Sequence, residues 1–213
     1  MRYQTIELRN QTHLLLAWLV FLTSFFLVAH LRNSFAPIDL QANTWAESIQ
    51  MDSLTAIAVI VAYVFDTTSL IAVSMMIAAY LFYKNCRRHS ALLLATMGGD
   101  ALIVSITKEI VHSPRPLNGL VYDSGFSFPS GHTMACIVFC GLIVYLAWQR
   151  WKSLKTRIIH VTLSIVVIFT VAFDRIYLNV HWFSDVVGGC LLGLFWLTFS
   201  LWSFKCIEKL DKD

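Results

Sequence analysis

Apolar residues run along this chain in long blocks, broken by short clusters of charge. Six blocks stand out: roughly Leu14–Leu31, Thr67–Tyr83, Ala91–Thr107, Thr133–Trp148, Ile158–Phe173 and Val186–Phe204. A helix crossing a bilayer needs about 20 mainly apolar residues, so these blocks predict six transmembrane helices in an all-α, polytopic bundle. The first block follows Arg2 and Arg9 in the manner of a signal peptide. Its apolar core is long for one and no small-x-small cleavage site follows, so it reads as an uncleaved span.

Residues 32–66 break the pattern. The apolar run Leu54–Phe65 is 12 residues long, too short to span. Ahead of it Phe35, Ile38, Leu40, Trp45, Ile49 and Met51 are interleaved with Asp39, Gln41, Asn43, Glu47 and Asp52. That mixture predicts interfacial helices between the first and second spans.

Composition excludes the alternatives. Of 213 residues, 57% are apolar and 14% charged, with a mean hydropathy of +0.66, whereas soluble domains carry about 25% charged residues. Gly, Pro and Ser are too few for a disordered chain. The net charge of +3 reflects scarce charges rather than a basic excess, so no nucleic-acid partner is expected. Six spans and their loops leave no room for a separate soluble domain, and residues 1–213 are expected to form one membrane-embedded unit. Cys136 and Cys140 share a helix face with no His or acidic partner at metal-ligand spacing, and are read as packing. No feature of the chain speaks to oligomeric state.

The placement of charge says more than its sum. With six spans, the face holding both termini carries 12 of the 16 Lys and Arg residues: Arg2, Arg9, Lys84, Arg87, Arg88, Arg150, Lys152, Lys155, Arg157, Lys205, Lys209 and Lys212. Positive charge marks the cytoplasmic side, so both termini are expected there. If Leu54–Phe65 spanned, everything downstream would flip sides and this asymmetry would be lost. Four cations, Arg32, Lys108, Arg115 and Arg175, fall on the opposite, extracytoplasmic face.

Three of those four have telling company. Lys108 closes the third span and precedes Arg115-Pro116; Pro129-Ser130-Gly131-His132 stands directly before the fourth span; Arg175 ends the fifth, followed by His181 and Asp185. Three cations at one face can balance a phosphate, and Arg can bond its oxygens bidentately. Ser130 and Gly131 would offer a hydroxyl and backbone N–H groups at a helix N-terminus, which favours anions. His181 and Asp185, four apart, can meet on a helix, which fixes the imidazole tautomer and leaves its other nitrogen nucleophilic. His132 is a second histidine, available as acid or base. The set calls for no cofactor and no metal, and no carboxylate cluster suits Mg²⁺.

In these motifs the chain resembles the type 2 phosphatidic acid phosphatases, membrane lipid phosphatases related to vanadium haloperoxidases. The family pattern is K-x6-R-P, P-S-G-H and S-R-x5-H-x3-D. Here it reads Lys108-x6-Arg115-Pro116, Pro129-Ser130-Gly131-His132 and Asp174-Arg175-x5-His181-x3-Asp185, over residues 108–185. The resemblance implies an enzyme that removes the terminal phosphate of a lipid phosphate or diphosphate. In it His181 is the nucleophile forming a phosphohistidine, Asp185 supports its imidazole, and His132 protonates the leaving oxygen and then activates water. Lys108, Arg115, Ser130, Gly131 and Arg175 hold the phosphoryl oxygens. Undecaprenyl diphosphate is the favoured substrate, with phosphatidylglycerophosphate or a broad range of phosphatidates as alternatives. A lipid phosphotransferase and a non-catalytic anion-binding membrane protein are further readings. The one departure is Asp174, where the family usually has Ser; its carboxylate either pairs with Arg175 and competes with phosphate or faces solvent. Altered affinity, not lost activity, is expected.

Other polar residues read as structural. His112 lies in a loop, and His13, His30, His89 and His160 sit near span ends or in loops. Asp100, inside the third span and about 12 Å of helix from Lys108, is expected to hydrogen-bond a neighbouring helix. Gly189-x3-Gly193 is expected to be a helix-packing patch.

Overall fold

The computed structural model describes residues 2–148, 151 and 153–210, with residues 2–11 as backbone alone. Arg150, Lys152, Lys212 and the side chains of Arg2 and Arg9, all counted above to the basic face, lie outside the described residues. The regular elements are helices: α1 (Arg2–His30), a 3₁₀ turn (Arg32–Phe35), α2 (Ala36–Ser48), α3 (Asp52–Val64), α4 (Thr67–Tyr83), α5 (Arg87–Val111), α6 (Gly131–Ala147), α7 (Leu154–Tyr177) and α8 (Phe183–Leu210).

Six of them, α1 and α4–α8, fall on the six apolar blocks. From Thr12 onward α1 is long and apolar enough to cross a membrane, as are α5, α7 and α8. α6 is apolar but only 17 residues long, and α4 passes the same measure only together with α3, from which it is bent by 47°. α5, α7 and α8 extend beyond the predicted spans at both ends, because polar residues at a bilayer surface can continue a helix that hydropathy alone would stop. Arg175 and Lys108 therefore sit on helices rather than in loops.

Local chemistry places the breaks. Pro37 stands in the first turn of α2, where a missing N–H costs nothing. Asp66 precedes α4 and accepts the Thr68 N–H at 2.9 Å, a side-chain cap. α5 stops at His112, left-handed at φ 51°, just before Pro114, whose ring bars a further turn. α7 gives way to Asn179, φ 52°; Asn tolerates that region better than most residues.

The helix ends alternate around one pole. Arg32, just beyond α1, lies 3.8 Å from Asp185 at the start of α8. Asp66, at the start of α4, lies 3.4 Å from His132 at the start of α6. Residues 32–66 thus begin and end at the same pole, and α2 and α3 do not carry the chain across. Ala58 of α3 packs on Tyr177, Leu178 and Val180 at that pole, and the Tyr177 hydroxyl accepts the Met51 N–H at 3.1 Å. α2 is inside out for a soluble protein: it buries Asp39 and Asn43 and exposes Ile38, Leu40 and Trp45, as an interfacial helix facing lipid should.

Below the pole, Leu93 and Met97 of α5 meet Ala135, Val138 and Leu142 of α6, Val171 of α7 and Phe204 of α8. α1 lies along α8, with Trp18 edge-on to Phe195 and Phe199. Small residues let α6 and α8 approach: a Cβ on Gly189 would stand 2.6 Å from the Ser130 carbonyl oxygen, and one on Gly193 3.1 Å from that of Met134. The glycine pair is an intramolecular packing patch, as expected. Asp100 departs from expectation. It is fully buried, but neither carboxylate oxygen has a hydrogen-bond partner; the nearby indole N–H of Trp196 goes to the Thr96 carbonyl instead, at 2.8 Å.

Candidate active site

At the pole, α5, α6, α7 and α8 bring Lys108, Ser130, Gly131, His132, Arg175, His181 and Asp185 together, and the 112–130 loop adds Arg115. The left-handed turn at Asn179 reverses the chain after α7 and sends His181 back toward that loop. Arg115 is held by backbone carbonyls: its Nε donates to Gly125 at 3.0 Å and an amino group to Ser124 at 3.1 Å, both in its own loop, and the other amino group donates to Val180, in the turn between α7 and α8, at 2.8 Å. Gly125 can turn its carbonyl inward because it sits at φ 71°, where a side chain would be strained. Ser113 and Ser127 tie the loop's two ends, hydroxyl to hydroxyl at 2.5 Å.

His181 lies between opposite charges. Arg115 Nη1 is 3.3 Å from its Nε2, and Asp185 Oδ2 is 3.4 Å from its Nδ1. A guanidinium can only donate, so Nε2 must carry the lone pair, which puts the ring proton on Nδ1, facing the carboxylate. Asp185 is itself oriented by the Trp182 N–H at 2.8 Å. His181 is 2% exposed. Burial, with Arg115, Lys108 and Arg175 nearby, holds its pKa well below the usual imidazole value, against the opposing pull of Asp123. Neutral, with the Nε2 lone pair turned toward Arg115, the ring has the protonation state that a nucleophilic imidazole requires.

The N-terminus of α6 is arranged differently from expectation in one respect. The Ser130 N–H is spent on the Asp185 carbonyl at 2.9 Å, which clamps α6 to α8. Its hydroxyl, fully buried, accepts from Thr133 at 3.0 Å. An anion here would draw on the first-turn N–H groups of the helix, beginning with Gly131, which helix geometry leaves unpaired. Asp174, the departure from the family pattern, pairs with Arg175: its Oδ2 accepts from Nε at 3.0 Å and from the adjacent amino group, both residues buried. The guanidinium is thus part-committed before any phosphate arrives.

The PAP2 superfamily model matches residues 89–208, more than half of the chain and every motif residue. The chain belongs to the PAP2 superfamily. Phosphatidylglycerophosphatase B of Bacillus subtilis is 31% identical over 128 residues, 59% of this chain and 63% of its own. The undecaprenyl-diphosphatase of Sulfolobus acidocaldarius is 28% identical over 130 residues, 57% of this chain and 58% of its own. The chain therefore spans less than two thirds of the length of these curated relatives. The crystal structure of a transmembrane PAP2 type phosphatidylglycerolphosphate phosphatase from Bacillus subtilis superposes with a TM-score of 0.81 at 25% identity, covering 92% of this chain and 96% of that one. The protein is a multi-pass membrane protein of this fold.

Around the PAP2 motifs the structure adds four residues that sequence reasoning missed. Arg32, the fourth cation on the sparsely charged face, faces Asp185 at 3.8 Å and lies over the Phe128 ring at 5.3 Å. Asp66 faces His132. Asp123 stands 3.0 Å from Arg115 and 3.9 Å from His181 Nε2, where a phosphate oxygen would compete with it. Asp39 accepts both the N–H and the hydroxyl of Ser184 at 2.8 Å, so α2 holds the start of α8. Only Arg32 carried a signal: a cation on the face that hydropathy and charge left sparse.

Proposed function

We propose that this PAP2 protein is a lipid-phosphate phosphatase that works at the extracytoplasmic membrane face through a phosphohistidine, with both termini in the cytoplasm. The observation that carries it is the His181 imidazole, neutral, its Nδ1 toward Asp185 and its Nε2 toward Arg115. A protein that only bound anions would have no use for that arrangement. His181 Nε2 attacks phosphorus as the bond to the lipid oxygen breaks, and Asp185 steadies the imidazolium that forms. His132 gives its proton to the leaving oxygen, then takes one from the water that attacks the phosphohistidine. Lys108, Arg115, Arg175, the Ser130 hydroxyl and the Gly131 N–H stabilise the oxygens, with Arg115 exchanging Asp123 for phosphate. The orientation rests on the 12-to-4 division of basic residues.

The site lies between helix ends at the bilayer surface, which suits a phosphate borne on a lipid. Phosphatidylglycerophosphate, after which the similar Bacillus subtilis sequence and crystal structure are named, and undecaprenyl diphosphate, favoured from sequence, are the substrates to set against each other. Purified protein is given these two with phosphatidate and lysophosphatidate, with no acceptor lipid. Release of inorganic phosphate, blocked by vanadate, is expected. Turnover only on addition of an acceptor alcohol points to a transferase, and equal kcat/KM on all four lipids removes any claim to a dedicated substrate.

The Asp174–Arg175 pair makes a separate prediction. In Asp174→Ser the guanidinium no longer divides its donors between carboxylate and phosphate. KM for the lipid phosphate is expected to fall roughly fivefold, about 1 kcal/mol of one recovered hydrogen bond, with kcat little changed. Steady-state kinetics of the variant check this; an unchanged KM means that Asp174 does not compete with substrate.

A further inference from the structure

We propose that Asp66, at the joint between α3 and α4, is a positioning residue for His132: its carboxylate orients the ring and favours the protonated form that a proton donor must adopt. The inference rests on the phosphatase reading and adds to it a residue outside the three motifs. His181 has Asp185; His132, which must carry a proton when the lipid oxygen leaves, has no carboxylate partner within those motifs. The structure supplies one from elsewhere, with Asp66 Oδ1 at 3.4 Å from His132 Nε2.

Two features make the contact more than proximity. The other oxygen of Asp66, Oδ2, accepts the Thr68 N–H at 2.9 Å. That bond anchors the carboxylate and leaves Oδ1 facing His132. The α4 and α6 N-termini also abut: a Cβ on Gly131 would lie 3.8 Å from Thr67 Oγ1, so the backbone holds the two side chains in register.

The charges facing His132 explain why a carboxylate is needed. Burial first, then Arg175 from α7 and Lys108 from α5, oppose protonation of its ring and bring its pKa down to about 4 before any phosphate arrives, against the pull of Asp66 and Asp123. Asp123 is engaged with Arg115 at 3.0 Å and is displaced when phosphate takes that guanidinium. Asp66 contacts neither cation and stays on the ring through the cycle. In the first step the His181–phosphorus bond forms, the bond from phosphorus to the lipid oxygen breaks, and that oxygen takes the proton of His132. In the second step His132 takes a proton from water, the water oxygen bonds phosphorus and His181 is released.

The plainer role for Asp66 is that of a helix cap, and the variants separate the two. Asn and Ser cap about as well as Asp, so Asp66→Asn and Asp66→Ser keep α4 while removing the charge. Both are expected to lower kcat on phosphatidylglycerophosphate by roughly tenfold or more, a part of the roughly 10²–10⁴-fold that a positioned acid contributes, since His132 itself remains. They also move the alkaline limb of kcat to lower pH, because His132 then holds its proton less firmly. With 4-nitrophenyl phosphate, whose phenolate leaves without a proton, the burst of nitrophenolate keeps its wild-type rate. Wild-type kcat and an unshifted alkaline limb in both variants reduce Asp66 to a cap and overturn the proposal; so does an equal loss of kcat and burst. The pH profile on the lipid decides the matter even if the aryl ester reacts slowly. His181→Ala, run alongside, tests the underlying reading: if it still turns over lipid phosphate, the phosphohistidine mechanism fails whatever Asp66 does.

Discussion

Replacing His181 by Ala is expected to cut phosphate release by about four orders of magnitude or more, as loss of a nucleophile does elsewhere. No other described group stands ready to substitute. Arg115 and Asp185 flank the same imidazole, but a guanidinium held by loop carbonyls cannot attack phosphorus. Asp185 is fully buried behind the ring. The variant should still fold, because the clamp between α6 and α8 runs through the Ser130 N–H and the Asp185 carbonyl rather than through the imidazole. Lipid phosphate binding, carried by Lys108, Arg115 and Arg175, should largely survive, so the loss falls on kcat. In the wild type, the depressed pKa of His181 has a sign that can be checked. A group whose pKa lies below the usual 6.5 stays neutral as pH falls through that value. The acid limb of kcat/KM should therefore begin well below pH 6.5; a limb at or above it would mean that His181 is not the neutral nucleophile. Alkaline detergent quench of wild-type and variant enzyme with lipid carrying ³²P in its terminal phosphate gives a second readout, since only the wild type should yield a phosphoenzyme that survives alkali and is lost in acid.

Gly189→Ala should have the next largest effect, although residue 189 touches no substrate. The added methyl would stand 2.6 Å from the Ser130 carbonyl oxygen and 3.3 Å from Thr133 Cβ. The nearest atom is backbone, so it cannot swing aside as a flexible side chain can, and α8 must move off α6. That contact lies one turn from the Ser130–Asp185 clamp, and the shift passes to His181 and Asp185 on one side and His132 on the other. A displacement near 1 Å at a catalytic pair costs on the order of 100-fold in rate, and overpacking costs about 1–3 kcal/mol of stability. Both kcat and the thermal midpoint in detergent are expected to fall. Gly98→Ala is the control: nothing lies within 4 Å of its Cβ position, and turnover should be unaffected. Wild-type turnover in Gly189→Ala would show that the two helix N-termini are not held as tightly as this packing requires.

The helices were legible because their signal is additive and local. Each apolar block had to find an environment without water, and only a helix satisfies its own backbone there. α4 was placed residue for residue, since Asp66 caps one end and a Lys-Asn turn closes the other. The motif residues were legible for the complementary reason: charge is costly at membrane depth, so cations and histidines at fixed spacings near span ends stand out. Residues 32–66 were legible only in outline. Their mixture of polar and apolar positions announced an interfacial segment, but which face met protein depended on partners far along the chain. Asp39 turns inward because Ser184 waits there, and Asn43 because Asn118 does.

By itself, then, the sequence determined an all-helical membrane protein, the approximate spans, the sparsely charged face and the motif residues gathered there, because hydropathy, charge and spacing are properties of short stretches. Only the tertiary structure decided the rest: that Arg32 belongs with Asp185, Asp66 with His132 and Asp123 with Arg115, and that Asp174 is spent on its neighbour. The first two pairs join residues from separate elements, and a side chain's partner across a bundle is set by how the helices pack; Asp123 and Arg115 share the 112–130 loop, whose course depends on the helices it joins and on its tie to Val180. Asp174 is the exception that shows the rule: its neighbour was visible, but whether it turned inward depended on the burial of both.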